Sequence, residues 1–206
     1  MTAAIAEKKL TATEKRYTLE EYLVREERSK HKHAYINGEI IPMPGSKSTH
    51  NEISGNLIGA LKAAFKTTPR KFRLLTSDQK IYIAQLDDVL YPDIVVIFET
   101  IEHWQGREDL VINPLLIVEV ASKSTSKYDK EDKFLKYQNI PSFKEYVMIN
   151  QFKSRVESYF KLNDKHWDLK IETDITGKIN LRSLGLDIEL ADIYENIEFK
   201  SISKKI

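Results

Sequence analysis

Cysteine is absent from the 206-residue sequence, which excludes a disulfide framework, thiolate metal ligands and a cysteine nucleophile together. Long apolar runs are absent too. Leu115-Leu116-Ile117-Val118 and Ile94-Val95-Val96-Ile97-Phe98 fall far short of the roughly 20 residues a membrane helix requires, so no membrane partner is expected. The first sixteen residues mix Ala and Thr with Glu7, Lys8, Lys9, Glu14, Lys15 and Arg16 and lack the apolar middle of a secretory signal. They are expected to form a flexible tail, and the combined absences suit a reducing cytoplasm. Neither charge sign dominates: 32 Lys and Arg oppose 31 Asp and Glu, a net charge of +1, so any phosphate-binding surface must be local. Two lysine- and arginine-bearing stretches, 62–80 and 123–136, could supply one, although on charge alone a solvated face accounts better for both.

Apolar residues make up 41% and charged residues 31% of the chain, an ordinary globular balance. Residues 17–200 are expected to form one domain, followed by a short tail at 201–206. Thr18 before Glu20 and Glu21 reads as a helix N-cap with an acidic first turn, the helix ending near Lys30. Asn37-Gly38 between two apolar runs is a hairpin signal. Apolar residues at helical spacing predict a long helix over 48–66. Strands are expected at 72–76 and 80–84, with Asp87 and Asp88 in the loop that follows. The continuous Val- and Ile-rich runs 93–98 and 115–121 read as central strands covered on both faces. A helix over 128–140 is closed by Pro141, and a strand follows at 145–149. Alternating runs at 155–160, 166–172 and 178–181 predict one-sided antiparallel strands. Their uncovered face or edge leads to the expectation of a homodimer.

A carboxylate inside an apolar strand is costly unless it is paired or binds a metal, and Asp93 and Glu119 stand in the two central strands. Asp93 opens its strand and Glu119 lies near the end of its own. If the strands pair antiparallel, the two carboxylates meet at one edge of the sheet and present four oxygens to a hard divalent cation. Either residue alone is better explained structurally, Asp93 as a turn cap and Glu119 as the partner of a lysine. Both together, at matched strand ends before a lysine-bearing helix, favour function.

Pro92-Asp93, then Glu119-Val120-Ala121, then a lysine resembles the PD-(D/E)XK nuclease signature, and the wider context resembles its bacterial Uma-two endonuclease branch. The similar stretches are Tyr35-Ile36-Asn37-Gly38-Glu39 with Pro42-Met43-Pro44-Gly45 and His50, Tyr91-Pro92-Asp93, and Ile117-Val118-Glu119-Val120-Ala121-Ser122. They continue with Ser124-Thr125, Asp129, Lys133, Tyr137, Pro141 and Glu145-Tyr146-Val147. The resemblance implies an α/β fold with a restriction endonuclease-like core, a central mixed β-sheet flanked by helices, and additional antiparallel C-terminal strands. It further implies a metal-dependent endonuclease acting on nucleic acid, DNA foremost, with Mg²⁺ or Mn²⁺ at Asp93 and Glu119. Two positions depart from the pattern. Ala121 fills the usual lysine slot, so the resemblance moves the amine to Lys133 on the following helix, and Ala34 replaces an often acidic residue, leaving Glu39 as the candidate third carboxylate.

Within this reading Lys133 orients the attacking water or stabilises the transition state, and His50 is an auxiliary candidate that contacts metal-bound water or phosphate, a lone histidine at a helix entry being otherwise a cap or a solvated residue. Ser122 is an auxiliary candidate, although N-capping explains it and Ser124 more simply, and Tyr137 is expected in the core. Asp129, Lys133 and Tyr137 share a helical stripe, whereas Lys136 falls on the neighbouring one, so its removal is expected to be silent. The competing reading, favoured by Ala34 and the near-neutral charge, is a catalytically inactive nuclease-fold module that binds nucleic acid or a protein partner. A weaker one is a structural domain with an inert carboxylate cluster.

Overall fold

The structure, a computed structural model, describes residues 15–121 and 127–199. Ser122, Ser124 and most of the two expected tails lie outside the described residues. Thr18 caps helix α1 (Leu19–Arg28) in a complete capping box: its side chain accepts from the Glu21 N–H while the Glu21 carboxylate accepts from the Thr18 N–H. Strands β1 (His33–Ile36) and β2 (Glu39–Pro42) form the expected hairpin. Asn37 and Gly38 both take positive φ, 52° and 81°, as a tight turn matched to strand twist requires. Helix α2 (Ser48–Phe65) buries Ile53, Leu57 and Leu61 at helical spacing.

Next come β3 (Phe72–Thr76), β4 (Lys80–Ile83), β5 (Asp88–Leu90), β6 (Ile94–Phe98), the two-residue β7 (Leu110–Val111) and β8 (Leu116–Ala121). Helix α3 (Lys127–Tyr137) leads to β9 (Glu145–Asn150), β10 (Val156–Asn163), β11 (His166–Glu172), β12 (Lys178–Leu181), β13 (Leu186–Glu189) and the single turn α4 (Leu190–Ile193). The final strand and turn were not foreseen from sequence. Among the described residues, no helix is long and apolar enough to cross a membrane.

The sheet is mixed, as expected, but it is not the sole large sheet. A six-stranded sheet runs β11-β10-β9-β8-β6-β3, and a five-stranded sheet runs β2-β1-β5-β4-β7. All its pairs are antiparallel except β8 with β9 in the first and β4 with β7 in the second. One face of the six-stranded sheet packs α2, the β12–β13 hairpin and α4 through Ile94, Val96, Val118 and Val120. Its other face, carrying Val95, Ile97 and Ile117, shares a cluster with Tyr137 of α3 and with Ala34, Ile81 and Ile83 of the second sheet. Helix α1 covers the far side of that second sheet through Tyr22, Leu23, Tyr35 and Val89. The central strands are thus covered on both faces, which explains their unbroken apolar runs.

Asp88 is a strand residue, not a loop residue, and it is buried at 1% exposure. Its Oδ1 accepts the Asn37 N–H at 2.7 Å and its Oδ2 accepts Lys136 Nζ at 2.5 Å. Lys136 therefore ties α3 to the hairpin, so its loss bears on stability whatever it does to cleavage. Lys136→Ala leaves a buried carboxylate with only the Asn37 N–H as donor among the described residues and should cost about 3 kcal/mol, read as a lower urea midpoint at unchanged slope. Lys136→Ala and wild type unfolding at the same midpoint would show the pair to be energetically idle.

Candidate active site

Strand β6 runs antiparallel to β8 with Ile94 opposite Val118 and Val95 opposite Ile117, so the next step in register sets Asp93 against Glu119. Directly opposed antiparallel residues project from the same face. Here it is the face of Val95 and Ile117, turned toward α3. Both side chains are largely withdrawn from water, Asp93 at 16% and Glu119 at 13% exposure.

Each carboxylate is held by one oxygen. Asp93 Oδ2 accepts the Val120 N–H at 2.7 Å and lies 3.1 Å from His50 Nε2. Glu119 Oε1 accepts Lys133 Nζ at 2.8 Å and, in a longer and weaker contact, the Tyr137 hydroxyl at 3.3 Å. Lys133 and Tyr137, four residues apart, reach it from one face of α3. The other oxygens, Asp93 Oδ1 and Glu119 Oε2, receive no hydrogen bond from the described residues.

Two further strand carboxylates provide the contrast. Glu145 is fully buried, and both its oxygens are taken, by Ser158 Oγ, the Arg182 and Ser183 N–H groups and Ser183 Oγ. Asp88 is likewise engaged through both oxygens. Those two are structural, whereas Asp93 and Glu119 keep coordinating capacity.

Burial pushes the Glu119 carboxyl up to about 7; the Lys133 ammonium opposes the shift and the Asp93 charge adds to it. The hydrogen bond to Asp93 raises His50 above its ordinary value, against the opposing effect of burial. Tyr137 and Tyr146 are raised well above the usual phenol, first by burial and then by the Glu119 charge. A carboxyl raised on folding stabilises the fold below its unfolded value near 4.5 and loses that contribution as pH rises through about 7. Metal-free protein should therefore lose on the order of 3 kcal/mol from this group between pH 4.5 and 8. Urea unfolding in a chelator at both pH values, with Glu119→Gln as reference, measures it. An equal pH slope in the two proteins would rule it out.

These features fit a divalent cation. Two desolvated carboxylates repel each other across adjacent strands, one oxygen of each without a hydrogen bond from the described residues, and the buried Tyr146 hydroxyl has no hydrogen-bond partner among those residues. Tyr146 lies opposite Ile117 on β9, on the same face as Glu119, and feels both acidic charges. Among the described residues no three His, Asp or Glu side chains converge as a ligand set. The donor set is a carboxylate pair, which suits Mg²⁺, a cation that binds through one or two carboxylates and retains several waters. The hollow on the outer face of α1, lined by Glu20, Val24, Arg25 and Arg28, contains none of these groups.

The structure brings together four of the residues singled out from sequence: Asp93, Glu119, Lys133 and His50. His50 is neither a helix cap nor solvated. It is 8% exposed and buttresses Asp93 from the first turn of α2, its Nδ1 unpartnered among the described residues. Glu39 pairs with Ile36 beside the hairpin turn in the other sheet, and no hydrogen bond or ion pair among the described residues joins it to Asp93 or Glu119. Ala34 is buried in the cluster that holds Tyr137 and Tyr146. Tyr137 is in the core, as expected, and also touches Glu119. Tyr146 was missed as a site residue, although strand alternation after Glu145 would have placed it on one face with Val118's neighbours Ile117 and Glu119 once β9 was paired with β8.

Residues 19–191 match the model of the family Uma2, described as "Putative restriction endonuclease". The chain is 38% identical over 169 residues to the uncharacterized protein sll1609 of Synechocystis sp., covering 82% of this chain and 93% of that protein. It is 29% identical over 180 residues to a second uncharacterized Synechocystis protein, slr1290, covering 87% and 92% respectively. Among solved structures, a protein of Anabaena variabilis described as "a putative nuclease belonging to DUF820" superposes with a TM-score of 0.69 at 18% identity, over 86% of this chain and 97% of that one. That likeness establishes a shared fold.

Proposed function

Because the chain belongs to the Uma2 family, we propose that it is an endonuclease that hydrolyses nucleic-acid phosphodiester bonds, DNA foremost, with Mg²⁺ or Mn²⁺ held by Asp93 and Glu119. The observation that carries this reading is the carboxylate pair on opposed residues of adjacent central strands, with Asp93 Oδ1 and Glu119 Oε2 unbonded among the described residues and the Lys133 amine on Glu119. Residues 17–200 act as one domain in this reading, and the protein works in the cytoplasm.

A bound divalent ion supplies Lewis acidity toward a phosphate oxygen and lowers the pKa of a bound water. The remaining chemistry belongs to the chain. Asp93 is oriented by the Val120 N–H and by His50, which fixes the direction of its open oxygen. Glu119, with its carboxyl pushed up to about 7 by burial, would have to be ionised to hold the ion. Lys133 has a compact ammonium that can turn from Glu119 toward the scissile phosphate and offset charge there. The Tyr146 hydroxyl offers a donor to a water in the cleft.

The alternative, a binding module without catalysis, draws support from Ala34, a buried methyl that brings no further carboxylate to the site. Incubation with supercoiled plasmid, single-stranded DNA and RNA in Mg²⁺ or Mn²⁺ separates the two. Endonucleolysis should require the ion and stop with chelator, whereas binding to these substrates without cleavage under either ion would establish the module.

A further inference from the structure

Strand β11 is the outermost strand of the six-stranded sheet, paired with β10 along its length, and no described element pairs with its outer side. Natural edge strands are normally protected by shortness, proline or clustered lysine. This one is seven residues long, His166-Trp167-Asp168-Leu169-Lys170-Ile171-Glu172, with no proline and one lysine. Leu169 and Ile171 are 45% and 42% exposed on the edge. The alternation places Trp167, Leu169 and Ile171 on the face that carries Phe134 and Tyr159, and Trp167 packs edge-on against Phe134. His166, Asp168, Lys170 and Glu172 occupy the opposite face.

We propose that this edge pairs with itself, β11 of a second copy of this chain adding antiparallel about a two-fold axis through Leu169. A two-fold strand pair must be centred on a residue, because centring between residues would set one copy's apolar face against the other's charged face. Centring on Leu169 places Asp168 of each copy against Lys170 of its partner, Trp167 against Ile171, His166 against Glu172, and Leu169 against itself. Every charged residue then meets an opposite or titratable partner, and every apolar residue meets an apolar one. The rival centres fail. Asp168 would oppose itself, centring on Lys170 would oppose Lys170 to itself and Asp168 to Glu172, and centring on Trp167 or Ile171 would pair only three residues of the strand. Like charges set directly opposite destabilise a strand pair.

The groups are available for this pairing. Asp168 uses Oδ2 for Arg182 at 2.6 Å, and its Oδ1 receives no hydrogen bond from the described residues, at 55% side-chain exposure. Lys170 is exposed. The axis runs perpendicular to the sheet, so both copies present α3 and its carboxylate pair on the same face. The pairing is isologous, as closed two-fold assemblies are, and it stands independently of the nuclease reading.

Sedimentation equilibrium of the full chain at tens of micromolar, with charge exchange, tests the pairing. Wild type should be a dimer. Asp168→Lys and Lys170→Asp, each creating two like-charge contacts by symmetry, should each weaken association roughly tenfold or more, and the two substitutions together should restore it. Since the chain has no cysteine, Leu169→Cys should be captured as a covalent dimer by a short bifunctional thiol reagent, and Ile175→Cys, equally exposed but beyond the strand, should not. A monomeric wild type, single charge variants that dimerise as wild type does, failure of the double variant to recover, or equal cross-linking at 169 and 175 would each overturn the proposal.

Discussion

Glu119→Ala should reduce cleavage to background, a loss of about 10³-fold or more, while the protein remains folded. Glu119 and Asp93 are the opposed carboxylates of the two central strands, so removing Glu119 leaves Asp93 as a single ligand. The fold should survive because the carboxylate is a desolvated group already pushed toward neutrality, its carboxyl standing at about 7. The cost falls on Lys133, which loses Glu119 Oε1 as an acceptor but is 27% exposed and can reach water. Full plasmid cleavage by a purified, folded Glu119→Ala protein would remove this residue from the reaction. Loss of cleavage accompanied by an unfolded spectrum would say nothing about chemistry, so Glu119→Gln, which keeps an acceptor for Lys133 and Tyr137, is the control and should be equally inactive.

Lys133→Ala should lower cleavage by roughly 10²–10³-fold, the second largest effect. Its readout includes a shift that a merely structural lysine would not produce. The Lys133 ammonium is the main influence holding the Glu119 carboxyl down against burial, so without it that carboxyl rises further and the acidic limb of the rate profile moves to higher pH. Lys133→Arg keeps the charge and should leave the limb near its original position even where the rate is poor. A profile of unchanged shape in Lys133→Ala, at wild-type rate, would mean that the amine is dispensable.

The carboxylate pair was legible because it needed only the polarity of two neighbouring strands: Pro92-Asp93 marks the start of one, Glu119 the end of the other, and antiparallel pairing aligns start with end. The Asn37-Gly38 hairpin and the Thr18 cap were legible because their signals are local. Periodicity gives the faces of a strand but not its neighbours. For that reason the division into two sheets, the parallel pairing of β8 with β9 and the closing hairpin β12–β13 were out of reach. The same limit hid the partners of Asp88, 48 residues before Lys136, and of Glu145, met by Arg182 and Ser183 far along the chain. Their burial looked like loop polarity or went unremarked. The helical stripe separates Lys133, which reaches Glu119, from Lys136, whose neighbouring stripe faces another buried carboxylate, Asp88.

The most direct measurement is calorimetric titration of wild type and Glu119→Ala with Mn²⁺ at pH 6 and pH 8, in buffers of different ionisation enthalpy. Wild type should bind the ion more tightly at pH 8, because proton and metal compete for a carboxyl near 7, and at pH 6 binding should release close to one proton. Glu119→Ala should show no binding at either pH. A titration curve in Glu119→Ala indistinguishable from wild type would contradict the metal-binding role of the Asp93–Glu119 pair.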